Sequence, residues 1–519
     1  MRDAIVLGWV AFIFFAAAFF ASISIVHLFQ NKKLCFDKGF LYSLSACFVS
    51  VMLCLSIWPP IHRVYDDEFS FISQSVNINS SGRPCIILKG SRLHPETFAS
   101  WKANPKFPGF AWLETIILFF TKDFEYSYFI LNIILGALSV AVVYRIAWVW
   151  SASHAVAWWS AIFLACLPVH ITYSMSAASD ISGSFFFLLF LCFISEYRGL
   201  KAVRFLYAAL FCGTFSICIK PFYGVFVILG LGMALYIFRR EGLVDKKLRS
   251  QVLLDTACLF LPILSAIPVY LFNDTKNGAY SFSFVIKNLC TSFFYFIDYK
   301  QNTILTTLAA LAAVGRSIFY KKDILINKLT WWVMSGILMF SVFCSGGISY
   351  PGYAYSDRYF LFLVFPFIFL AAKGMSDSLT RAWSFFWGAL YLILLVANAF
   401  FASSHLNEAA MNGFHYKKAL LLGQAFRFVP DDAYILDDSA AFITTISPKR
   451  SIHSEIFWHG DRPEKVVFFQ GMSIKDSDDQ KRTVMIENIL NVGYHCVPLV
   501  AAPLKEAYLS TTPYLCTRK

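Results

Sequence analysis

The chain has 519 residues, of which 58% are hydrophobic and only 15% charged. A soluble globular protein carries about 25% charged residues, so the composition excludes an ordinary water-soluble enzyme. The net charge of +12 suggests an anionic partner, but most of the basic residues sit in short loops between apolar runs. That is the pattern that orients membrane proteins, and it argues against a nucleic-acid binder.

Apolar runs of about 20 residues match the hydrocarbon thickness at about 1.5 Å per helical residue. Lipid offers the backbone no hydrogen bonds, so such runs must be helices. The first, residues 4–28, lacks a small-x-small cleavage site and is read as a retained helix, not a cleaved signal peptide. Further spans are predicted at 40–58, 124–150, 155–176, 181–197, 204–219, 221–238, 252–272, 303–319, 329–345, 358–372 and 382–402, about twelve in all. The loops carrying Lys32/Lys33/Lys38, Arg198/Lys201/Arg204, Arg239/Arg240/Lys246/Lys247/Arg249, Lys321/Lys322/Lys328 and Lys373/Arg381 form one consistent cytoplasmic set. Residues 107–121 are apolar but short, and counting them as a span breaks the alternation these loops demand. They are read as a re-entrant or interfacial helix, which is tolerated where it is buried in protein or lines a wet cavity.

The opposite side then carries a long first loop at 59–106, a turn around Asp180, a loop at 273–302 and the tail from 403 to 519. Within the tail, strands are predicted at 433–436, 465–469 and 494–499, and helices at 439–445 and 481–490. The expected fold is an all-α polytopic membrane domain, residues 1–402, followed by a small extracytoplasmic α/β domain, residues 403–519. The 13 cysteines are scattered, many inside apolar runs, where they pack as small residues. Cys496 and Cys516 can pair if the tail is extracytoplasmic. His94, His453, His459 and His495 show no metal-ligand spacing.

The sharpest chemical feature is Val64-Tyr65-Asp66-Asp67-Glu68-Phe69. Clustered acids repel, so one of them can act as a base near neutral pH. Alternatively they bind a divalent cation through oxygen ligands, or simply cap a helix in a solvated loop. Asp180, between two spans, is costly near a membrane unless solvated or paired, and it equally suits an N-cap. Lys220, in Cys218-Ile219-Lys220-Pro221, breaks one long apolar run into two. Its predicted side is opposite the basic loops, which fits an anionic partner such as a phosphate at headgroup level; the plain alternative is a snorkelling lysine. Arg358 and Tyr359 sit at the mouth of another span, where Arg can grip a phosphate bidentately or form a local pair with Asp357. Lys106 opens the short segment at 107–121 and reads, alone, as a solvated loop lysine.

On the predicted topology Asp66, Asp67, Glu68, Lys106, Asp180, Lys220 and Arg358 share one face of the membrane. Carboxylates and cations gathered there fit transfer of a sugar from a polyprenyl phosphate to an acceptor hydroxyl. A carboxylate removes the hydroxyl proton, and Lys or Arg stabilises the departing lipid phosphate.

The order of these motifs resembles the GT-C superfamily of membrane glycosyltransferases, nearest to the aminoarabinose (lipid A) transferases and protein O-mannosyltransferases. In that family an acidic pair opens the first extracytoplasmic loop, as Asp66-Asp67-Glu68 does here. A Lys/Pro element enters the membrane region, as Lys106-Phe107-Pro108-Gly109 does. A Pro-containing helix ends in a small-residue turn with an acid, as from Pro168 to Asp180. A helix ending in Lys220 and the Arg358-Tyr359 pair before Pro366 follow. The resemblance covers roughly residues 40–400. It implies that Asp66 or Asp67 is the catalytic carboxylate with Asp180 in support, and that Lys106, Lys220, Arg358 and Tyr359 serve the donor phosphate. It further implies a polyprenyl-phosphate sugar donor, a lipid, glycan or protein acceptor, and a bacterial inner membrane with the site facing the periplasm. Metal dependence differs among its members and stays open. Two departures stand out: an extra N-terminal helix, and Asn104-Pro105-Lys106-Phe107-Pro108 in place of the family's His-Pro-Pro element.

Two other classes compete. A transporter or flippase of a lipid-linked or anionic solute would use Lys220 as an intramembrane charge, but such proteins often carry inverted repeats, and no internal repeat is visible. A non-catalytic membrane scaffold would use the tail as a binding module.

Overall fold

The computed structural model describes residues 2–30, 38–63, 65–83, 85–86, 88–91, 108–121, 126–200, 202–220, 303–319, 361–378, 384–437, 449–458, 462–470, 487–506 and 509–518, with isolated positions between 223 and 337. The helices, in chain order, are α1 (Arg2–Gln30), α2 (Lys38–Ser56), α3 (Tyr65–Ser81), α4 (Gly109–Thr121), α5 (Ser127–Ser151), α6 (His154–Ala165), α7 (Pro168–Ser174), α8 (Asp180–Leu200), α9 (Val203–Ile219), α10 (Ile304–Phe319), α11 (Leu361–Ser378), α12 (Ser384–Met411), α13 (Phe414–Ala425) and α14 (Ser454–Trp458). The strands are β1 (Lys89–Gly90), β2 (Tyr434–Asp437), β3 (Ser451–His453), β4 (Lys465–Gln470), β5 (Tyr494–Pro498), β6 (Leu504–Glu506) and β7 (Leu509–Arg518). The chain divides into two compact units. One is helical, Trp9–Pro60 with Phe129–Asn407; the other is mixed, Met1–Gly8 with Ile61–Tyr128 and Glu408–Lys519.

The protein is an integral membrane protein. Among the described residues five helices are long and apolar enough to cross a membrane, six if the bent pair α6–α7 is one span. That pair bends by 59°, where Pro168 stands at the start of α7. Proline supplies no N–H to continue the preceding helix but suits the first turn of the next. Outward faces carry large apolar side chains: Phe385 is 85% exposed and Leu41 62%, as expected of groups that meet lipid and not water. The spans predicted at 221–238, 252–272 and 329–345 lie wholly or mostly outside the described residues.

Within the helical unit, aromatic contacts join α1 to α9: Phe20 stacks on Phe211 at 5.5 Å, and Phe14 meets Phe215 at 5.2 Å. Apolar helices gain little from burial in an apolar solvent, so small residues that admit close approach matter more. A Cβ on Gly374 of α11 would lie 2.1 Å from the Ala309 carbonyl oxygen of α10, so only glycine fits that crossing. Arg145 of α5 and Glu196 of α8 form a mostly buried ion pair, with the Arg145 guanidinium 4.7 Å from the Trp148 ring centre.

The mixed unit is built on a sheet of order β1-β3-β2-β4-β7-β5, with β6 pairing to β7. β2 runs parallel to both β3 and β4, while β1, β5, β6 and β7 pair antiparallel. β4 presents Val466, Val467, Phe468 and Phe469 in succession, all buried, the mark of a strand covered on both faces. The strands expected at 433–436, 465–469 and 494–499 are β2, β4 and β5, each shifted by a residue at most at either end. The helix expected at 439–445 lies outside the described residues, as does most of the one at 481–490.

The first loop differs from expectation. Residues 59–106 were read as loop, yet α3 lies within them, and β1 pairs with β3 at Lys89↔Ile452 and Gly90↔Ser451. Helix α3 is polar overall, which hides it from a search by hydropathy. Its Phe69, Ile72 and Val76 nevertheless recur at helical spacing and are buried, and acids in its first turn favour the helix dipole.

Cys496 and Cys516 stand opposite each other on β5 and β7 and form a disulfide, closing a loop of 20 residues. Peptide mapping without reduction is expected to recover these two cysteines linked, and Cys516→Ala is expected to remove roughly 2–4 kcal/mol from unfolding of the tail. Recovery of both as free thiols from membrane-expressed protein would contradict the pairing.

Candidate functional site

The acidic motif of the mixed unit occupies the start of α3. Asp66 and Asp67 lie in its first turn. Glu68 follows and is fully buried. One of its oxygens accepts the Arg63 backbone N–H at 2.9 Å, and the other meets His62 Nδ1 at 2.6 Å. The His62 ring also packs on Phe69, 4.6 Å between centres. The chain before α3 is thus folded back onto Glu68, and the turn bearing Asp66 and Asp67 is held from behind. This gives Glu68 a definite local job: it anchors the turn.

Sequence reasoning passed over Glu114, on α4. This residue is the one acid in a 13-residue apolar helix, too short at about 1.5 Å per residue to span the hydrocarbon. It is fully buried, and neither oxygen has a hydrogen-bond partner among the described residues. Burial, and then the charge of Glu68, push its carboxyl well above the usual carboxylate range. The signal was available: an acid inside an apolar segment is expensive, and so rare without a reason.

The helical unit holds the second group. α8 and α9 form an antiparallel hairpin, so Asp180 at the start of α8 comes beside Lys220 at the end of α9. The two make a buried ion pair. Each charge sits at the helix end that favours it, the carboxylate at an N-terminus and the ammonium at a C-terminus. Oδ2 of Asp180 is buried and has no partner among the described residues. Gly183 leaves room for Tyr223 beside this pair: a Cβ there would lie 2.9 Å from the Tyr223 ring. Tyr223 bonds to Ser184 at 2.7 Å and stacks on Phe187.

The turn before Asp180 is pinned by Asn132 of α5, which sequence reasoning also missed. Its Nδ2 donates to the carbonyls of Ser176 and Ala178, both at 2.7 Å, and its Oδ1 accepts from Ser182 at 2.9 Å. Asn132 is fully buried, so the small-residue turn Ser176–Asp180 is fixed through its own backbone. A lone polar residue inside a span was the available signal.

Lys106, Arg358 and Tyr359 lie outside the described residues. Among the described residues no group of three or more His, Cys, Asp or Glu is arranged to hold a metal ion.

If the pair in the helical unit is coupled, Lys220→Met should cost about 3–5 kcal/mol, because it strands a buried carboxylate. Asp180→Asn combined with Lys220→Met should cost less than Lys220→Met alone. Thermal unfolding in detergent of the two single variants and the double variant measures this, and additive costs would contradict the coupling.

No protein-family model matches the sequence, and no curated protein matches it either. Solved structures do. ArnT from Cupriavidus metallidurans in the apo state aligns at a TM-score of 0.57 with 10% identity, over 92% of this chain and 97% of that one. The same protein bound to undecaprenyl phosphate aligns at 0.56 with 10% identity, over 91% and 97%. The archaeal oligosaccharyltransferase AglB from Archaeoglobus fulgidus aligns at 0.48 with 11% identity, over 83% and 69%, too weakly to carry an argument. The likeness to ArnT is one of fold and runs through nearly the whole of both chains. The chain therefore has the fold of ArnT, in keeping with the resemblance that the order of its motifs suggested.

Proposed function

We propose that the protein is a glycosyltransferase that moves a sugar from a polyprenyl-phosphate donor to an acceptor hydroxyl on the extracytoplasmic face of the membrane. The observation that carries this reading is the buried Asp180–Lys220 pair in a chain with the fold of an ArnT that has been captured with undecaprenyl phosphate. A buried ammonium facing one carboxylate is a natural grip for a phosphate dianion, and an ArnT-like fold supports a lipid as the bearer of that phosphate.

On this reading Asp66 or Asp67 takes the proton from the acceptor hydroxyl. The freed oxygen attacks the anomeric carbon, and the bond from that carbon to the phosphate oxygen breaks. The electron pair leaves with the polyprenyl phosphate. Lys220 stabilises the charge that develops there, with Lys106, Arg358 and Tyr359 as further phosphate contacts and Asp180 holding Lys220. The site belongs at the interface because the donor's tail stays in the bilayer. A divalent cation held by the acidic turn would serve the same reaction as a Lewis acid at the phosphate. The Cys496–Cys516 disulfide supports an extracytoplasmic, oxidising side for the tail. The acceptor is a lipid, glycan or protein hydroxyl, and the sugar a hexose or pentose.

The test is transfer in membranes supplied with polyprenyl-phosphate sugars, read as release of lipid phosphate and as a glycosylated product by mass spectrometry. Replacing the base, by Asp66→Asn or Asp67→Asn, is expected to cost about 10²–10⁴-fold in rate at unchanged abundance. Equal release from wild type and both variants would overturn the assignment of the base.

A further inference from the structure

Glu114 is a buried titratable group that the proposed reaction leaves unused. α4 packs against α3, where Thr115 donates to the Ser75 carbonyl at 3.3 Å and Phe110 meets Phe71 edge-on at 5.3 Å. Among the described titratable groups, Glu68 is close enough for its charge to act on Glu114, His62 is bonded to Glu68, and Tyr128 bonds to Ser75, the residue on which Thr115 docks. Glu68 already spends its oxygens on His62 and on the Arg63 N–H. Glu114 has the opposite condition: no exposure, and no partner for either oxygen among the described residues. Two carboxylates cannot both be ionised in such a place without strong repulsion, and an unpaired buried charge is among the costliest things a fold can hold.

We propose that Glu114 is a positioning residue for the acidic turn: as the uncharged acid it backs Glu68 without competing for His62 and Arg63, and when it ionises it repels Glu68 and loosens the turn that carries Asp66 and Asp67. The inference rests on the proposed transfer reaction for its catalytic consequence, but its structural part stands without it. The sign follows from burial and the Glu68 charge, which raise the Glu114 carboxyl above its ordinary range. Relative to the unfolded chain, its neutral form favours the fold fully at low pH. That advantage is lost as pH rises through the folded-state value. A decline with rising pH is therefore built into the wild type, and the amide of glutamine, which cannot ionise, removes it.

The experiment compares full-length wild type, Glu114→Gln and Glu114→Ala in detergent, by thermal midpoint across about pH 5–10 and by transfer rate over the same range. In the wild type both quantities should fall as pH rises. In Glu114→Gln the ratio of the rate at the high end of the range to that at the low end should rise severalfold and the midpoint should flatten, whereas Glu114→Ala should lower the midpoint at every pH by leaving a void. An unchanged pH profile in Glu114→Gln would overturn the inference. So would loss of activity at every pH with an intact midpoint, which would make Glu114 a charged participant. If no donor supports transfer even by the wild type, the function is at fault, and the midpoint profiles still decide the role of Glu114.

Discussion

The interaction on which the helical unit turns is the pair of opposite charges at the joined ends of α8 and α9. An ammonium and a carboxylate buried together lose several kcal/mol of hydration each, and their attraction recovers this only when geometry is held. Here the holding is visible. The two helix ends supply favourable dipoles, Gly183 leaves room for the Tyr223 ring beside the pair, and Asn132 binds the turn that delivers Asp180. Such a pair is poor value as mere stabilisation, since well-packed apolar residues would serve as well or better. Its cost makes sense if the ammonium has a second client. That is the physical reason to connect Lys220 with an anionic substrate group and not with the fold alone.

The acidic turn of the mixed unit obeys the same logic on a smaller scale. Three consecutive acids look alike in the sequence. Glu68 is drawn inward and satisfied by His62 and Arg63, which makes it the anchor of the helix start that carries Asp66 and Asp67. The rigidity needed to place a base within reach of a hydroxyl proton comes from such a supporting contact. Glu114 belongs to this support. It is buried where only an uncharged acid is tolerable, and so it ties the arrangement to pH.

Much of the helical unit was legible because lipid forces a simple code: runs of about 20 apolar residues must be helices. The described helices fall within a few residues of the expected bounds, except that the span expected at 155–176 is broken into α6 and α7, α11 continues to Ser378 and α12 to Met411. Lys220 could be singled out because it interrupts such a run, and Asp180 because it precedes one. Asn132 was not, since a single amide in an apolar helix carries no period, and its meaning lies in the carbonyls of a turn more than 40 residues away. α3 was missed because polar residues, Ser73, Gln74, Ser75 and Asn77, are buried alongside its apolar ones and dilute the hydrophobic signal. β1 was missed because two residues make no pattern, and its partner lies in the tail. Cys496 and Cys516 were legible as candidates only; their register across β5 and β7 decides the pairing.

The central claim is that Lys220 receives the phosphate of a polyprenyl lipid. Native mass spectrometry of the purified, monodisperse protein titrated with undecaprenyl phosphate tests it most directly, with Lys220→Gln alongside. Loss of a charge-assisted contact of about 1.5–3 kcal/mol corresponds to roughly 10–100-fold in affinity. The account therefore predicts that the wild type retains the lipid and that the variant binds it at least about 10-fold more weakly. Equal retention by the two, both folded, would contradict it.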